Sequence, residues 1–213
     1  RALEGVGLLE SRSGSGWYVR AADVSTAART FARSLAFHPA ALLDLLVIRR
    51  AIEADLIGGL AGRLDERDLA ALDELVQRMR WRAGRGQAFS SEDGEFHRRL
   101  VAATGNLVAL AVLDLYWGVM QALYERGFPG AVPGQLAAVA EQHAGLVEAL
   151  RCNRPDEAVR VMRSHHDESE RRFSAWLAGQ ALTEATAGDE VSAVEAAVQA
   201  ALLWPGPGPA GNR

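Results

Sequence analysis

The sequence predicts an all-α protein, an antiparallel helical bundle preceded by one short β-hairpin. Three observations carry that expectation. Beyond Pro39, apolar residues recur at steps of three and four in segment after segment. No alternating strand pattern follows Val19. Clusters containing Gly, Pro or Asn separate the periodic segments, as bundle loops require.

The elements read as follows. Arg1 to Val6 resembles the last turns of a helix, with Gly7 placed to end it, so the chain opens within an element. Leu8 and Leu9 lead through Glu10 into the small polar turn Arg12-Ser13-Gly14-Ser15-Gly16, and the β-prone Trp17-Tyr18-Val19 returns: a hairpin. Residues 21–39 form a linker with weak periodicity. The first long helix carries Leu42, Leu45, Leu46, Arg49, Ile52, Glu53, Leu56 and Leu60 on one stripe, weakened at its end by Gly58, Gly59 and Gly62. The second opens at Asp65 and Glu66, points Leu69, Leu72, Leu75, Val76 and Met79 inward, and stops near Gly84. The third runs from a cap at Ser90 or Ser91 to Thr104 and is closed by Gly105-Asn106. The fourth covers Leu107 to Arg126, and a loop from Gly127 to Gly134 leads to the fifth, Leu136 to Leu150. Pro155 opens the sixth, which continues to Leu182 with Asp156 and Glu157 in its first turn. An Ala-rich helix over 183–203 and a disordered Pro/Gly tail over 204–213 complete the chain.

Composition narrows the function. Over 213 residues the chain is 49% hydrophobic and 23% charged with a formal charge of −4, values of a folded protein whose surface as a whole is not a nucleic-acid-binding one. All 23 basic residues are Arg, a feature read as codon usage. No run of about 18 uncharged apolar residues and no secretory layout at the N-terminus is present, so a cytoplasmic protein without a membrane partner is expected. Cys152 is the only cysteine. This excludes an internal disulfide and a cysteine-based zinc site, and any metal must use His, Asp or Glu.

Four of the five histidines fall inside predicted helices: His97, His143, His165 and His166. Asp93 and His97 are four apart, so their side chains project from one face about 6 Å from each other. His143 sits among Leu136, Val139, Ala140, Leu146 and Val147, and His165 lies on the Ala158, Val161, Met162 and Ser169 side of its helix. Three helices thus each aim an imidazole or carboxylate inward, the way bundles build metal sites in their cores. Separately hydrogen-bonded core histidines give the same pattern. Periodicity does not separate His165 from His166. Three imidazoles and a carboxylate suit zinc, nickel, manganese or iron rather than calcium. On an octahedral ion, four protein ligands leave two positions for a small carboxylate, with Arg49 as its charged partner. Arg49 equally suits an i,i+4 ion pair with Glu53. A glycine-bearing turn with Arg12 can follow a DNA backbone into the minor groove, and equally can be an ordinary hairpin turn.

The order Arg49-x3-Glu53, Asp93-x2-Phe96-His97, Gly105-Asn106, His143 and Ala158 to His165 resembles the FadR-like C-terminal domain of GntR-type transcriptional regulators. The likeness spans roughly Leu42 to Leu177, and the 22-residue separation of His143 and His165 is its most specific part. LEGVGLLESRSGSGWYV is similar to the end of the recognition helix and the wing of that family's winged helix-turn-helix domain. The resemblance implies a wing fragment over 1–20, a linker over 21–39 and a helical effector-binding domain over 40–182. It implies a divalent metal, zinc foremost, on Asp93, His97, His143 and His165, and a small organic acid bound there with Arg49 and Asn106 facing it. It further implies DNA contact through Arg12, Ser13, Gly14, Ser15 and Gly16, and a homodimer that reads operator DNA. Most of the DNA-reading domain is missing from the chain, and the helix beyond Thr183 exceeds the usual bundle. Two rivals are a metal-dependent hydrolase or hydratase on the same residues, for which no general base is evident, and a purely structural metal.

Overall fold

The structure is a computed structural model describing residues 9–19, 32, 40–125, 128, 131 and 133–187. Within these, six helices follow one hairpin: β1 (Leu9–Arg12), β2 (Gly16–Val19), α1 (Ala40–Gly58), α2 (Glu66–Ala83), α3 (Ser90–Ala103), α4 (Leu107–Tyr124), α5 (Pro133–Arg151) and α6 (Pro155–Ala187). The all-α antiparallel bundle is therefore the observed fold. The expected helix end at Arg1–Val6, all of the linker except Ala32, the helix beyond Ala187 and the Pro/Gly tail lie outside the described residues.

In the hairpin Leu9 pairs with Val19 and Arg12 with Gly16. The Ser15 amide donates to the Arg12 carbonyl at 2.9 Å, and Gly14 takes φ 73°. That is the type II pattern, in which the third residue needs a positive φ and glycine supplies it without strain.

Of the stripe read from the sequence, α1 buries Leu42, Leu45, Leu46, Arg49 and Glu53, whereas Ile52 and Leu56 are half-buried and the buried face turns instead through Ala54 and Ile57. α2 starts where the Asp65 side chain accepts from the amides of Arg67 and Asp68, at 2.9 and 2.8 Å. It ends at Gly84 with Arg80 and Arg82 in its last turn, so both ends suit the helix dipole. Three expectations need correction. Neither Ser90 nor Ser91 caps α3: the buried Phe89 holds the cap position, its carbonyl accepting from the Asp93 amide at 2.9 Å, so both serines lie in the first turn. α5 begins at Pro133, not Leu136, because proline at the first helical position loses no hydrogen bond. α6 runs unbroken to Ala187, across the boundary expected between Leu182 and Thr183, where nothing in Ala-Leu-Thr-Glu-Ala stops a helix.

One core cluster joins α2, through Leu69, Leu72, Leu75, Val76 and Met79, to α5, through Leu136, Val139, Ala140, Leu146, Val147 and Leu150, with Phe96 and Leu100 of α3 and Ala158 and Met162 of α6. α4 packs beside α1 and α3. By length and mean hydropathy alone, 18 residues at 1.6, α4 matches a membrane-crossing helix. Its Asp114, however, pairs with Arg98 of α3, and its Leu113, Tyr116 and Val119 are buried in the bundle. Buried Ala32 meets α4 at Gly118, where an added Cβ would stand 2.7 Å from the Ala32 methyl, so only glycine fits.

The chain divides into two compact units, Arg1–Glu170 and Arg171–Arg213. Everything described below belongs to the first. In the second, the rings of Phe173 and Trp176 lie 5.6 Å apart.

Candidate metal centre

Four side chains from three helices converge. One ligand atom each from Asp93 and His97 of α3, His143 of α5 and His165 of α6 lie within 4.8 Å of one another. Asp93 Oδ1 is 2.8 Å from His143 Nε2 and 3.4 Å from His97 Nε2, and His97 Nε2 is 3.2 Å from His165 Nε2. The three imidazoles are buried, and Asp93 is the most exposed of the four. The i,i+4 spacing puts Asp93 and His97 on one face of α3. Phe96 wedges edge-on against the His143 ring at 4.7 Å and fixes that ring's plane.

The opposite nitrogen of every ring faces an acceptor. His97 Nδ1 stands 2.6 Å from Glu53 Oε2, His143 Nδ1 2.8 Å from the Val139 carbonyl, and His165 Nδ1 3.2 Å from Gln142 Oε1. A carbonyl, an amide oxygen and a carboxylate only accept, so each Nδ1 carries a proton, and in its neutral form each ring turns a bare Nε2 to the centre. With all three rings neutral, three lone pairs and a carboxylate oxygen would face one another with no donor among them. Such a set repels itself unless a proton or a cation lies between, and this is the arrangement by which outer partners orient histidines toward a metal. Imidazole nitrogen stands about 2.0–2.1 Å from zinc, so donors on one ion are roughly 3 to 4 Å apart, close to the spacing here. Three nitrogens and one oxygen suit a transition ion and not calcium. The residues present therefore fit the group.

Behind the ligands lies a second layer of charge. Glu53 Oε1 accepts from Arg49 Nε at 2.7 Å, and Glu53 Oε2 is 3.3 Å from His166 Nε2. The Arg49 guanidinium rests over the Tyr116 ring at 4.3 Å and near that of Trp117 at 5.2 Å. Arg49 Nη2, Trp117 Nε1 and His166 Nδ1 are buried without a hydrogen-bond partner among the described residues. Burial by itself would raise the Glu53 carboxyl, but Arg49, His97 and His166 hold it well below the usual carboxylate range. Burial likewise opposes the ionised Asp93, and the His143 and His97 rings, where a proton lies between them and the carboxylate, outweigh it and hold Asp93 well below the usual range. Burial draws His97 down, but Glu53 and Asp93 together leave it raised. Burial and the neighbouring imidazoles push His165 well down, and burial takes His166 to about 4 despite Glu53. Burial opposes the charged Arg49, and Glu53, Tyr116 and Asp93 together outweigh it.

The structure thus brings together Asp93, His97, His143 and His165 and sets Arg49 behind them; Arg49 forms the ion pair with Glu53 and still keeps one nitrogen free. Asn106 stands elsewhere. It is exposed, its oxygen accepts from the Ala109 amide at 3.0 Å, and among the described residues its contacts are those of the cap of α4 rather than a wall of the cluster. In the hairpin, Ser13, Gly14, Ser15 and Gly16 are exposed, while exposed Arg12 pairs with Glu10 at 3.2 Å and covers the Tyr18 ring at 4.5 Å. Sequence reasoning missed Glu53 as a partner of His97, along with Gln142, His166 and Trp117. Glu53 carried a signal, a carboxylate at the centre of a stripe that, apart from Arg49, is otherwise of Leu and Ile. Trp117 carried none.

The matched residues now have a family. An FCD domain model matches residues 44–168. The chain belongs to the FCD-domain family. Among solved structures it is similar to Streptococcus agalactiae GntR, with TM-score 0.60 and 23% identity over 80% of this chain and 78% of that one. It is also similar to E. coli McbR/YncC, with TM-score 0.58 and 14% identity over 83% and 77%. At such identities the two establish a shared fold. No curated protein matches the chain.

Proposed function

We propose that the chain senses a small carboxylate at a divalent transition metal, zinc foremost, and that this ligand sets the operator affinity of a cytoplasmic homodimer. The observation that supports this best is the convergence of Asp93 Oδ1 with three bare imidazole nitrogens whose Nδ1 atoms are all committed elsewhere. Asp93, His97, His143 and His165 hold the ion. When bound, the ion would supply Lewis acidity that anchors a carboxylate oxygen. Arg49 turns its free Nη2 to the same carboxylate while Nε stays on Glu53, so the anion meets a fixed cation in a dry site. The exposed turn of Arg12, Ser13, Gly14, Ser15 and Gly16 is the wing that follows DNA. Regulation is thermodynamic coupling: the effector shifts operator affinity only as far as its own affinity differs between the two states of the dimer, and DNA shifts effector affinity equally.

The test is the metal content of purified, chelator-free protein by elemental mass spectrometry, with thermal melts across a panel of small carboxylates. One equivalent per chain, lost in His143→Ala, together with a carboxylate-dependent melting shift, is expected. Absence of metal and of any shift overturns the reading.

A further inference from the structure

We propose that Glu53 is the positioning residue of this site, a single carboxylate that holds His97 as a metal ligand with one oxygen and Arg49 as an anion receptor with the other. The proposal rests on the metal-site reading and extends it to a residue that touches neither ion nor effector.

Glu53 is 1% exposed on α1, one turn beyond Arg49, and reaches α3 and α6 at once. Its Oε1 accepts from Arg49 Nε at 2.7 Å and its Oε2 from His97 Nδ1 at 2.6 Å, with His166 Nε2 3.3 Å from the same oxygen. An ionised carboxylate has no proton to give. His97 must therefore keep its proton on Nδ1, and only that tautomer offers Nε2 to Asp93, His143 and His165. An imidazole without such a partner favours the proton on Nε2, where it blocks the ligand lone pair. On the other side, the bond to Oε1 fixes the guanidinium over Tyr116, 4.3 Å from its centroid, and leaves Nη2 buried and free. An arriving carboxylate can take Nη2 without displacing Glu53, because the guanidinium fork has donors to spare. Metal ligand and effector receptor thus share one buried anion.

The two roles need two acceptor oxygens. A carboxamide of the same shape has one oxygen and one NH2, so in Glu53→Gln either Arg49 or His97 faces a donor. Zinc affinity is measured by competition with a chromophoric chelator on the wild type, on E53Q and on the double variant R49M/E53Q. Protonation of His97 is read from long-range 1H–15N imidazole correlations in the zinc-free protein. E53Q is expected to bind zinc roughly 10- to 100-fold more weakly, the size of effect that outer-shell partners have. His97 is expected to lose its fixed Nδ1–H tautomer. R49M/E53Q is expected to recover part of the affinity, since the amide oxygen is then free to turn to His97, a rescue that simple loss of packing would not give. Unchanged zinc affinity and an unchanged His97 tautomer in E53Q, beside tight binding by the wild type, overturn the positioning role alone. No zinc binding by the wild type overturns the metal-site reading and this role with it. If E53Q does not fold, the wild-type spectrum decides: Nδ1–H on His97 supports the proposal and Nε2–H overturns it.

Discussion

The bundle has two interiors, equally dry and opposite in physics. Where α2 meets α5 the buried residues are Leu, Val, Met and Ala, and each large one removed from water contributes about 1.5–3 kcal/mol. Where α1 meets α3 and α6 the buried residues include Arg49, Glu53, His97, His165 and His166, whose burial costs free energy unless every charge is paired. α5 belongs to both, since His143 stands in the same helix as Val139 and Leu146. A bundle stabilised by its apolar half can hold an underpaired polar half in place, with Arg49 Nη2, Trp117 Nε1 and His166 Nδ1 left waiting for partners. Fold stability and the proposed ligand response thereby fall to different contacts.

The strongest way to break that division is to change occupancy of the polar half. If it holds a metal absent from the unfolded chain, a thousandfold excess of free zinc over its dissociation constant stabilises the fold by about 4 kcal/mol. A chelator titration followed by melting reads this directly, and His97→Ala abolishes the response. A melting curve indifferent to zinc would mean that the polar half is closed on itself. Next in size is the apolar half. Leu72 is 2% exposed within the α2–α5 cluster, so Leu72→Ala is expected to cost about 2–5 kcal/mol in denaturant unfolding. Zinc stoichiometry should stay at that of the wild type. Loss of metal in this variant would show that the two interiors are one.

How much of this was legible in the sequence follows from the same division. The apolar half was readable because its chemistry is periodic: Leu69, Leu72, Leu75, Val76 and Met79 announce a buried face at helical spacing, and all five are buried. Gly84 and Pro155 marked ends because their backbones allow little else there. The ligand residues were readable only as single inward-facing positions on separate helices, and their meeting depends on helix packing, which periodicity does not encode. Resemblance to a known family chose His165 over its neighbour; in the structure His165 lies against His97 and His166 against Glu53. The outer partners were not legible. Glu53 and Gln142 take their meaning from distances across 44 and 23 residues of chain. Asn106 misled because an asparagine before a helix has a sufficient local reason to be there, as a cap.

The smallest expected effects sharpen the comparison from the surface. Arg80 and Glu141 join α2 to α5 through two hydrogen bonds of 2.7 Å, yet their side chains are 40% and 61% exposed. Both groups shift toward their charged forms through that hydrogen bonding, but water and salt screen a pair so exposed. Arg80→Ala is expected to cost under about 1 kcal/mol, and less in high salt. Asp65→Ala removes a cap from the other end of α2. The Arg67 and Asp68 amides have no alternative partner within the helix, so the cost there is about 1 kcal/mol and insensitive to salt. Paired melts at low and high ionic strength separate the two. If Arg80→Ala proved as costly as Asp65→Ala at both, the ion pair would be part of the α2–α5 interior rather than its solvated edge, and the apolar half would extend to the surface of the bundle.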